Sequence, residues 1–198
     1  MIPDDIKRYI SDETTKELLK HLKQFPLDIN KHFYCNKINQ DNDIIYQADG
    51  VDSVSYYDSS TKISKDIPCI IISNTCDVDQ GNIRDIDNHL LYTPVFRLSQ
   101  FIEMLKKNGL SEPQIESKVS SIRKQKITSI FYLPEIQGKI EESIIFFDRI
   151  INCENKIIPR SNLNKTRLFR LSNTAYIMFI YKLFIHFCRS TIDTTREI

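Results

Sequence analysis

Six consecutive apolar residues, Ile67 to Ile72, constrain the fold of this chain more than any other feature. A short continuous run of this kind is typical of a strand that is buried on both faces, and Leu90 to Phe96 is a second such run. The segment between them, 73–89, is polar and acidic, with Gly81-Asn82 as its turn signal. Because the chain has 198 residues, 41% of them apolar, it is long enough to bury both strands in one domain.

Spacing and capping residues predict the other elements. Three serines stand where they can cap helices, namely Ser99, Ser111 and Ser172. We expect these helices to end near Gly109, Lys124 and Ser190, and we expect a further helix over residues 11–24. The remaining strand-like segments are 44–46 and 51–57, around a turn at Asp49-Gly50, and 127–133, 143–151 and 167–171. This mixture predicts the α+β class.

The glycines and cysteines exclude several classes of protein. No two of the four glycines lie within six residues of each other, so the chain has neither a phosphate-binding P-loop nor a dinucleotide fingerprint. The five cysteines are scattered and form no C-x-x-C pair, which is unlike a secreted disulfide framework and unlike a zinc ribbon. We therefore predict no cofactor.

The chain carries no sign of a leader or a membrane anchor. Its first ten residues lack the apolar core of a signal peptide. Its longest apolar stretch, Ala175 to Cys188, is interrupted by Lys182 and His186 and is too short to span a bilayer. The sequence predicts a cytoplasmic protein without a membrane partner.

Positive charge is concentrated at the end of the chain. Residues 156–198 carry eight basic and two acidic side chains, although the net charge of the whole chain is only +1. Phosphate contacts are predicted for the five cations of the basic stretch 156–170, which are Lys156, Arg160, Lys165, Arg167 and Arg170. Amide side chains and Phe169 stand among them, as phosphate contact with base stacking would require. The alternative is a solvated loop that favours solubility.

Three segments, 42–46, 66–74 and 90–95, occur in the same order as the strand and loop motifs of a known protein family. Together they resemble the PemK/MazF toxin family, in which a G-D-I start leads to an R-P-V-V-V-I-S strand, a loop with Asn and a strand ending in P-x-T. The resemblance covers residues 43 to 133 at most. It implies a small SH3-like antiparallel β-barrel, here with a helical insertion and a packed C-terminal helix, and a bacterial toxin–antitoxin or anti-phage setting.

The two positions that carry ribonuclease chemistry in that family are replaced in this chain. Ile67 stands where the family has the arginine before its proline, and Phe96 stands where it has the threonine after the second proline. Thr93 and Arg97 lie nearby and are the candidates to substitute for them. The resemblance therefore supports the fold and the setting more than the enzyme.

Cys76 and Asp77 follow the first buried strand directly, at a position where functional sites often lie. A nucleophilic thiol needs a base and a lowered pKa, and the candidate bases are His89, His32 and His186. In the structural alternative, Cys76 packs as a small apolar residue and Asp77 caps a turn.

The acidic loop does not form an EF-hand. Counted from Asp77, its sixth residue is Asn82 rather than glycine, and its twelfth is Asn88 rather than glutamate. A hydrated acidic loop is the expected structure. We therefore predict no metal site.

We expect one domain over residues 1–198. It divides into an N-terminal helical arm (1–35), a barrel (43–151) with a helical insertion (99–124), and a segment (156–198) that combines the basic stretch with the last helix. That helix is apolar nearly all round. We expect it to pack in the core with Lys182 and His186 extending to solvent; the alternative is an interface with a second copy or another protein.

Three functions follow from these patterns. The first is a non-catalytic binding or regulatory subunit of a bacterial defence or toxin–antitoxin-type system, with a protein partner or a second copy of itself and with possible nucleic-acid contact. The second is a divergent, metal-independent endoribonuclease in which Arg84 or Arg97 neutralises the attacked phosphate. The third is a thiol enzyme centred on Cys76. The candidate catalytic residues are therefore Cys76, Asp77 and Arg97.

Overall fold

Two antiparallel sheets organise the part of the chain that the structure, a computed structural model, describes: residues 33–35, 44–58, 62–158 and 160–187. The eight strands are β1 (Gly50–Asp58), β2 (Ile63–Ile71), β3 (His89–Pro94), β4 (Phe96–Arg97), β5 (Ile130–Leu133), β6 (Ser143–Phe146), β7 (Ile151–Glu154) and β8 (Arg167–Phe169). The larger sheet has the order β7-β3-β2-β1-β8, and the smaller one has the order β4-β6-β5. The helix predicted over 11–24 and the candidate base His32 lie outside the described residues.

In these described residues, five α-helices connect and cover the strands: α1 (Thr75–Val78), α2 (Leu98–Lys107), α3 (Glu112–Arg123), α4 (Leu163–Thr166) and α5 (Asn173–Phe187). The cap predicted at Ser111 is confirmed: Ser111 is the N-cap of α3, and it forms a capping box in which Gln114 accepts a hydrogen bond from the Ser111 backbone. The cap predicted at Ser99 is wrong. Helix α2 begins one residue earlier, at Leu98, whose N–H donates to the Glu142 carbonyl.

Strand β2 is buried on both faces, as its apolar run predicts. Ile70 packs into a cluster with Phe131, Phe169 and Phe179 on one side of the sheet. Cys69 and Ile71 pack on the other side, in a cluster that includes Leu90. The middle of β2 therefore lies between two apolar layers and fixes the position of the neighbouring strands.

The α+β class is confirmed, whereas the SH3-like barrel is not, because the described residues form no closed barrel. After Pro94 the chain leaves the larger sheet, and the short strand β4 pairs with β6 in the smaller one. Strands β7 and β8 are the two edges of the larger sheet, and in the described residues they do not pair with each other, as closure of that sheet would require. The segment predicted as one strand over 143–151 is split between β6 and β7, and 44–46 is not a strand.

Helix α5 contributes a buried face, as expected for a core helix, through Ala175, Met178 and Phe179. The prediction that Lys182 extends to solvent is wrong, because Lys182 is only 6% exposed. Its Nζ donates to the Gln125 carbonyl (3.1 Å), to Gln125 Oε1 (3.0 Å) and to the Ile130 carbonyl. The opposite side of the helix exposes more than half of Tyr181, Phe184 and Phe187. No helix of the described ranges combines the length and apolarity needed to cross a membrane.

A buried carboxylate joins the start of β1 to β8. Asp49 is completely buried, and it accepts hydrogen bonds from Nε and Nη2 of Arg170 at 3.0 and 3.2 Å. Arg167, which is 1% exposed, places its Nε 3.2 Å from the same carboxylate. Burial raises the pKa of Asp49, and the two guanidinium groups oppose this change. The three side chains form one unit that excludes water from the edge of the larger sheet.

We predict that Asp49→Asn lowers the free energy of unfolding by about 3–5 kcal/mol, because it leaves two guanidinium groups without their counter-charge in a buried site. Urea unfolding followed by circular dichroism measures the loss. Asp66→Asn, at an exposed position on β2, is the matched control and should change stability by less than about 0.5 kcal/mol. Equal stability of the two variants would contradict the structural role of Asp49.

We also predict that stability rises with pH above neutrality because of Lys182. Burial lowers the pKa of this ammonium to about 7, well below its value in an unfolded chain. At Lys182 the unfolded state therefore binds more protons between pH 7 and about 10, which increases the free energy of unfolding by up to about 1.4 kcal/mol per pH unit. Burial raises the pKa of the Cys69 and Cys153 thiols, so these two groups oppose the increase above about pH 8.5, where unfolded thiols ionise. Lys182→Met should remove this increase, as urea unfolding at a series of pH values would show. An unchanged pH dependence in the variant would contradict the prediction.

Candidate nucleic-acid interface

A groove of about 750 Å³ lies where β1 and β2 meet the junction of β3 with β4. We call it the cationic groove, because Lys65, Arg97 and Arg149 line it and, among the described residues, no carboxylate does. Its other lining residues are Tyr56, Ile67, Pro68, Pro94, Val95, Phe96, Gln100, Ile150 and Ile151. The prolines of both family-like motifs, Pro68 and Pro94, therefore lie in one groove.

Arg149 is held in place by two aromatic rings. Its guanidinium carbon lies 4.4 Å from the centre of the Phe146 ring and 5.2 Å from the centre of the Phe96 ring. Both distances are those of cation–π contacts, and the two rings themselves meet edge to face, so the rings limit the positions that the guanidinium can adopt. In the described part of the chain, Arg149 forms no ion pair. It is therefore a prepared site for a phosphate or carboxylate.

Thr93 supports the segment that carries Arg149. Its side chain is fully buried, and its hydroxyl lies 3.1 Å from the Phe146 carbonyl and 3.2 Å from the Arg149 carbonyl. These contacts fix the turn between β6 and β7 against β3. The hydroxyl is thus engaged with backbone and does not line the groove, so Thr93 acts as a positioning residue here.

The other two cations stand on strands. Lys65 is opposite Tyr56 in the register of β1 and β2, and its Nζ lies 6.0 Å from the centre of that ring. Arg97 is on β4, opposite Ser143, and its side chain is 60% exposed. Its Nη1 lies 3.5 Å from Glu141, an exposed ion pair that water and salt weaken. Of the three predicted catalytic residues, only Arg97 lines the cationic groove.

Cys76 and Asp77 lie on helix α1 in a different part of the surface. Asp77 forms an ion pair with Arg84, and its carbonyl accepts a hydrogen bond from the buried side chain of Asn155. Cys76 is exposed. The nearest predicted base in sequence, His89, has its Nδ1 2.7 Å from Asn152 Oδ1. The contacts of Asp77 with Arg84 and Asn155 hold helix α1 against the acidic loop and the segment just after β7. They do not test the thiol-enzyme hypothesis for Cys76, which stays a prediction.

The acidic loop shows no metal centre: within the described ranges, no three His, Cys, Asp or Glu side chains are grouped closely enough to hold an ion. Two of its carboxylates, those of Asp77 and Asp79, instead contact other groups of the same loop. Asp79 Oδ1, for example, accepts a hydrogen bond from the Gly81 N–H at 2.9 Å. The loop is therefore ordered by its own polar groups.

The arginines of the basic stretch 156–170 make internal contacts. Arg167 and Arg170 contact Asp49, and Arg170 also stacks on the Tyr46 ring at 4.1 Å. Arg160 donates to the carbonyls of Asn155, Ile158 and Val78. The two lysines of the set are exposed; Lys156 pairs with Glu154, and Lys165 is at the C-terminal end of α4. The structure does not bring these five cations together on one surface.

Sequence reasoning missed Lys65, Arg149 and the rings that hold Arg149. Arg97 directly follows the run Leu90 to Phe96, and Arg149 follows the apolar segment 144–147 after one intervening residue, Asp148. A cation shortly after a buried strand was the available signal. In comparisons with known proteins, no family model matches the chain and no curated protein is significantly similar to it. The resemblance to the PemK/MazF family therefore stays a prediction from its motifs.

We predict that Thr93→Val lowers the free energy of unfolding by about 1 kcal/mol, because it removes the hydroxyl that donates to the carbonyls of Phe146 and Arg149, although the Phe146 carbonyl still accepts from the Arg149 N–H. It should also loosen Arg149, so that any anion bound in the groove is held less tightly. Thr93→Ser keeps the hydroxyl and serves as the control, with only the loss of one methyl group. Thermal unfolding of the three proteins measures the difference. Equal losses in both variants would show that the hydroxyl contributes nothing.

Proposed function

We propose that this protein is a non-catalytic nucleic-acid-binding protein that contacts single-stranded RNA through the cationic groove. The observation that carries this proposal is the convergence of Lys65, Arg97 and Arg149 on a groove whose described lining has no carboxylate. Phosphate binding in water depends on cations of this kind; within the described residues Lys65 and Arg149 form no ion pair, and Arg97 has only the exposed pair with Glu141. The predicted role as a subunit of a bacterial defence or toxin–antitoxin-type system, and kinship with the PemK/MazF family, are part of the proposal and rest on the motif resemblance.

The shape and lining of the groove favour a single strand over a duplex. Tyr56 and Phe96 line the same hollow as the three cations. Unpaired bases stack on aromatic side chains while cations follow the backbone, and this combination binds single strands without strict sequence readout. The bases of a duplex are stacked on each other, so they cannot enter a hollow of this kind without unpairing.

The lining also favours binding over catalysis. In the part of the chain that the structure describes, it contains no His, Asp, Glu, Cys, Ser or Thr side chain, and Tyr56 and Lys65 are the lining side chains that could transfer a proton. The groove can stabilise negative charge through its three cations, but charge stabilisation is only one component of RNA cleavage.

Divergent endoribonuclease activity is the second candidate, and one observation favours it. Arg97, the arginine that this hypothesis requires, lies in the same groove as both motif prolines, with Glu141 3.5 Å behind it. Metal-independent cleavage of RNA that is lost in Arg97→Ala would support this candidate. RNA that stays intact after prolonged incubation with a molar excess of protein would contradict it.

A pair of double variants tests the binding proposal. Arg97→Ala/Arg149→Ala removes two cations from the groove, and Lys156→Ala/Lys165→Ala removes two exposed cations from the basic stretch 156–170. We expect the first to weaken binding of a fluorescent single-stranded RNA by at least about tenfold, because each phosphate contact that is lost reduces the release of counterions. We expect the second to change binding by less than about twofold.

The salt dependence provides a second measurement on the same proteins. The slope of log K against log salt should become shallower by about 1.4 in the groove variant, since each single-strand phosphate contact contributes about 0.7. Equal losses in both double variants would show that bulk charge, and not the groove, attracts RNA. Absence of binding by the unmodified protein, or tighter binding of a duplex of the same sequence, would contradict the proposal.

A further inference from the structure

A second hollow, of about 420 Å³, adjoins the cationic groove. The two share Pro68, Val95 and Arg97, so a ligand that follows the surface past Arg97 passes from one into the other. We call the second one the acidic-rimmed hollow. Its lining includes three carboxylates, Asp52, Glu135 and Glu141, and two cations, Lys139 and Arg97, of which Arg97 pairs with Glu141. The cationic groove is lined by no carboxylate from the described ranges.

Part of the wall of the acidic-rimmed hollow is apolar. Five of its twelve lining residues are aliphatic or proline, namely Pro68, Val95, Ile136, Ile140 and Leu168. One side is a tight turn in which Ile136 and Ile140 exchange backbone hydrogen bonds at 2.8 and 3.0 Å. Gly138, with φ of +75°, permits that turn. The hollow therefore places apolar side chains beside carboxylate acceptors, which suits a planar group that carries N–H donors.

A bulge in β1 places Asp52 at this rim. The register of β1 against β2 shifts between Val51 and Val54, and Ser53 has φ of +60°. The Ser53 N–H donates to Asp52 Oδ1 at 2.8 Å, which orients the carboxylate. A bulge of this kind turns a side chain in a new direction, and it leaves one residue of the strand without its backbone pairing to the neighbouring strand. The second oxygen of Asp52 stays available as an acceptor.

We propose that the acidic-rimmed hollow selects a nucleobase that carries an exocyclic amino group, with cytosine preferred over uracil. This inference rests on the proposed function, because it takes the base of the nucleotide whose phosphate lies in the cationic groove. Asp and Glu side chains accept hydrogen bonds from the N4 amino group of cytosine. Uracil presents a carbonyl oxygen at the same place, and that oxygen faces a carboxylate unfavourably.

The neighbouring charges favour a nucleotide over a basic peptide in the acidic-rimmed hollow. A lysine or arginine side chain also suits a carboxylate rim, but its peptide would lie beside Lys65, Arg97 and Arg149, which repel it. A nucleotide with an amino-bearing base carries a negative phosphate and an N–H donor a few bonds apart. Its phosphate suits the cationic groove, and its amino group suits the carboxylates of the acidic-rimmed hollow.

The test compares short oligocytidylate and oligouridylate strands of equal length, which differ in their bases alone. We expect the unmodified protein at neutral pH to bind oligocytidylate about tenfold more tightly in fluorescence anisotropy. Asp52→Asn/Glu135→Gln should reduce this ratio to within about twofold. Both substitutions keep the size of the side chain, and the amide oxygen introduced by Asp52→Asn can still accept the hydrogen bond from the Ser53 N–H.

A control variant with the same change of charge isolates the effect of the rim. Glu103→Gln/Glu116→Gln removes two exposed carboxylates from α2 and α3, outside both hollows, and should leave the ratio unchanged. Equal affinity for the two strands, or tighter binding of oligouridylate, would overturn the base selection while leaving the proposed function intact. A preference that survives in Asp52→Asn/Glu135→Gln would also overturn it. Failure to bind either strand would overturn the base selection together with the proposed function.

Discussion

The buried carboxylate of Asp49 is the interaction on which the larger sheet depends. It is the counter-charge for Arg167 on β8 and for Arg170 just after it, so the start of β1 and the end of the sheet are joined by charge as well as by backbone pairing. Gly50, the next residue, approaches the Phe169 ring so closely that an added Cβ would lie 2.3 Å from it. The electrostatic contact and this steric contact act at the same junction. A charge buried without its partner costs a large fraction of the net stability of a domain, so these residues depend on one another.

The parts of the fold that could be predicted are those in which local chemistry decides the structure. The run at Ile70 and Ile71 predicts a doubly buried strand because no polar residue interrupts it, and Ser111 predicts a helix start because its capping box is local. The closed barrel was not confirmed because strand pairing depends on residues far apart in sequence, such as the pairing of Phe96 with Ile144. Lys182 shows the same limit, since its acceptors come from the segment around Gln125 and Ile130. A pattern in one helix does not reveal acceptors on another element.

The candidate site was less predictable than the fold. Charge along the sequence drew attention to Arg160, Arg167 and Arg170, yet their guanidinium groups bind carbonyls and Asp49. Arg97 was predicted from its place beside the motif, and it does lie in the cationic groove. Lys65 and Arg149 come from other parts of the chain, and only the pairing of β1 with β2 and the turn after β6 bring them to the same place. A cluster of cations in sequence is therefore a poor guide to a cationic surface, because arginine is also the residue that buried ion pairs favour.

The contacts of Arg149 with the Phe96 and Phe146 rings have a consequence for how long a bound ligand stays. A long side chain that is free in solution loses rotamer entropy when it binds a ligand, and this loss opposes association. Arg149 loses part of that freedom during folding, through its contacts with the two rings. A complex formed at this residue should therefore persist longer than its few charges suggest, because affinity differences within one interface arise mainly in the dissociation rate. Lysine at the same position would supply the charge but lacks a planar group, and its complexes should be correspondingly short-lived.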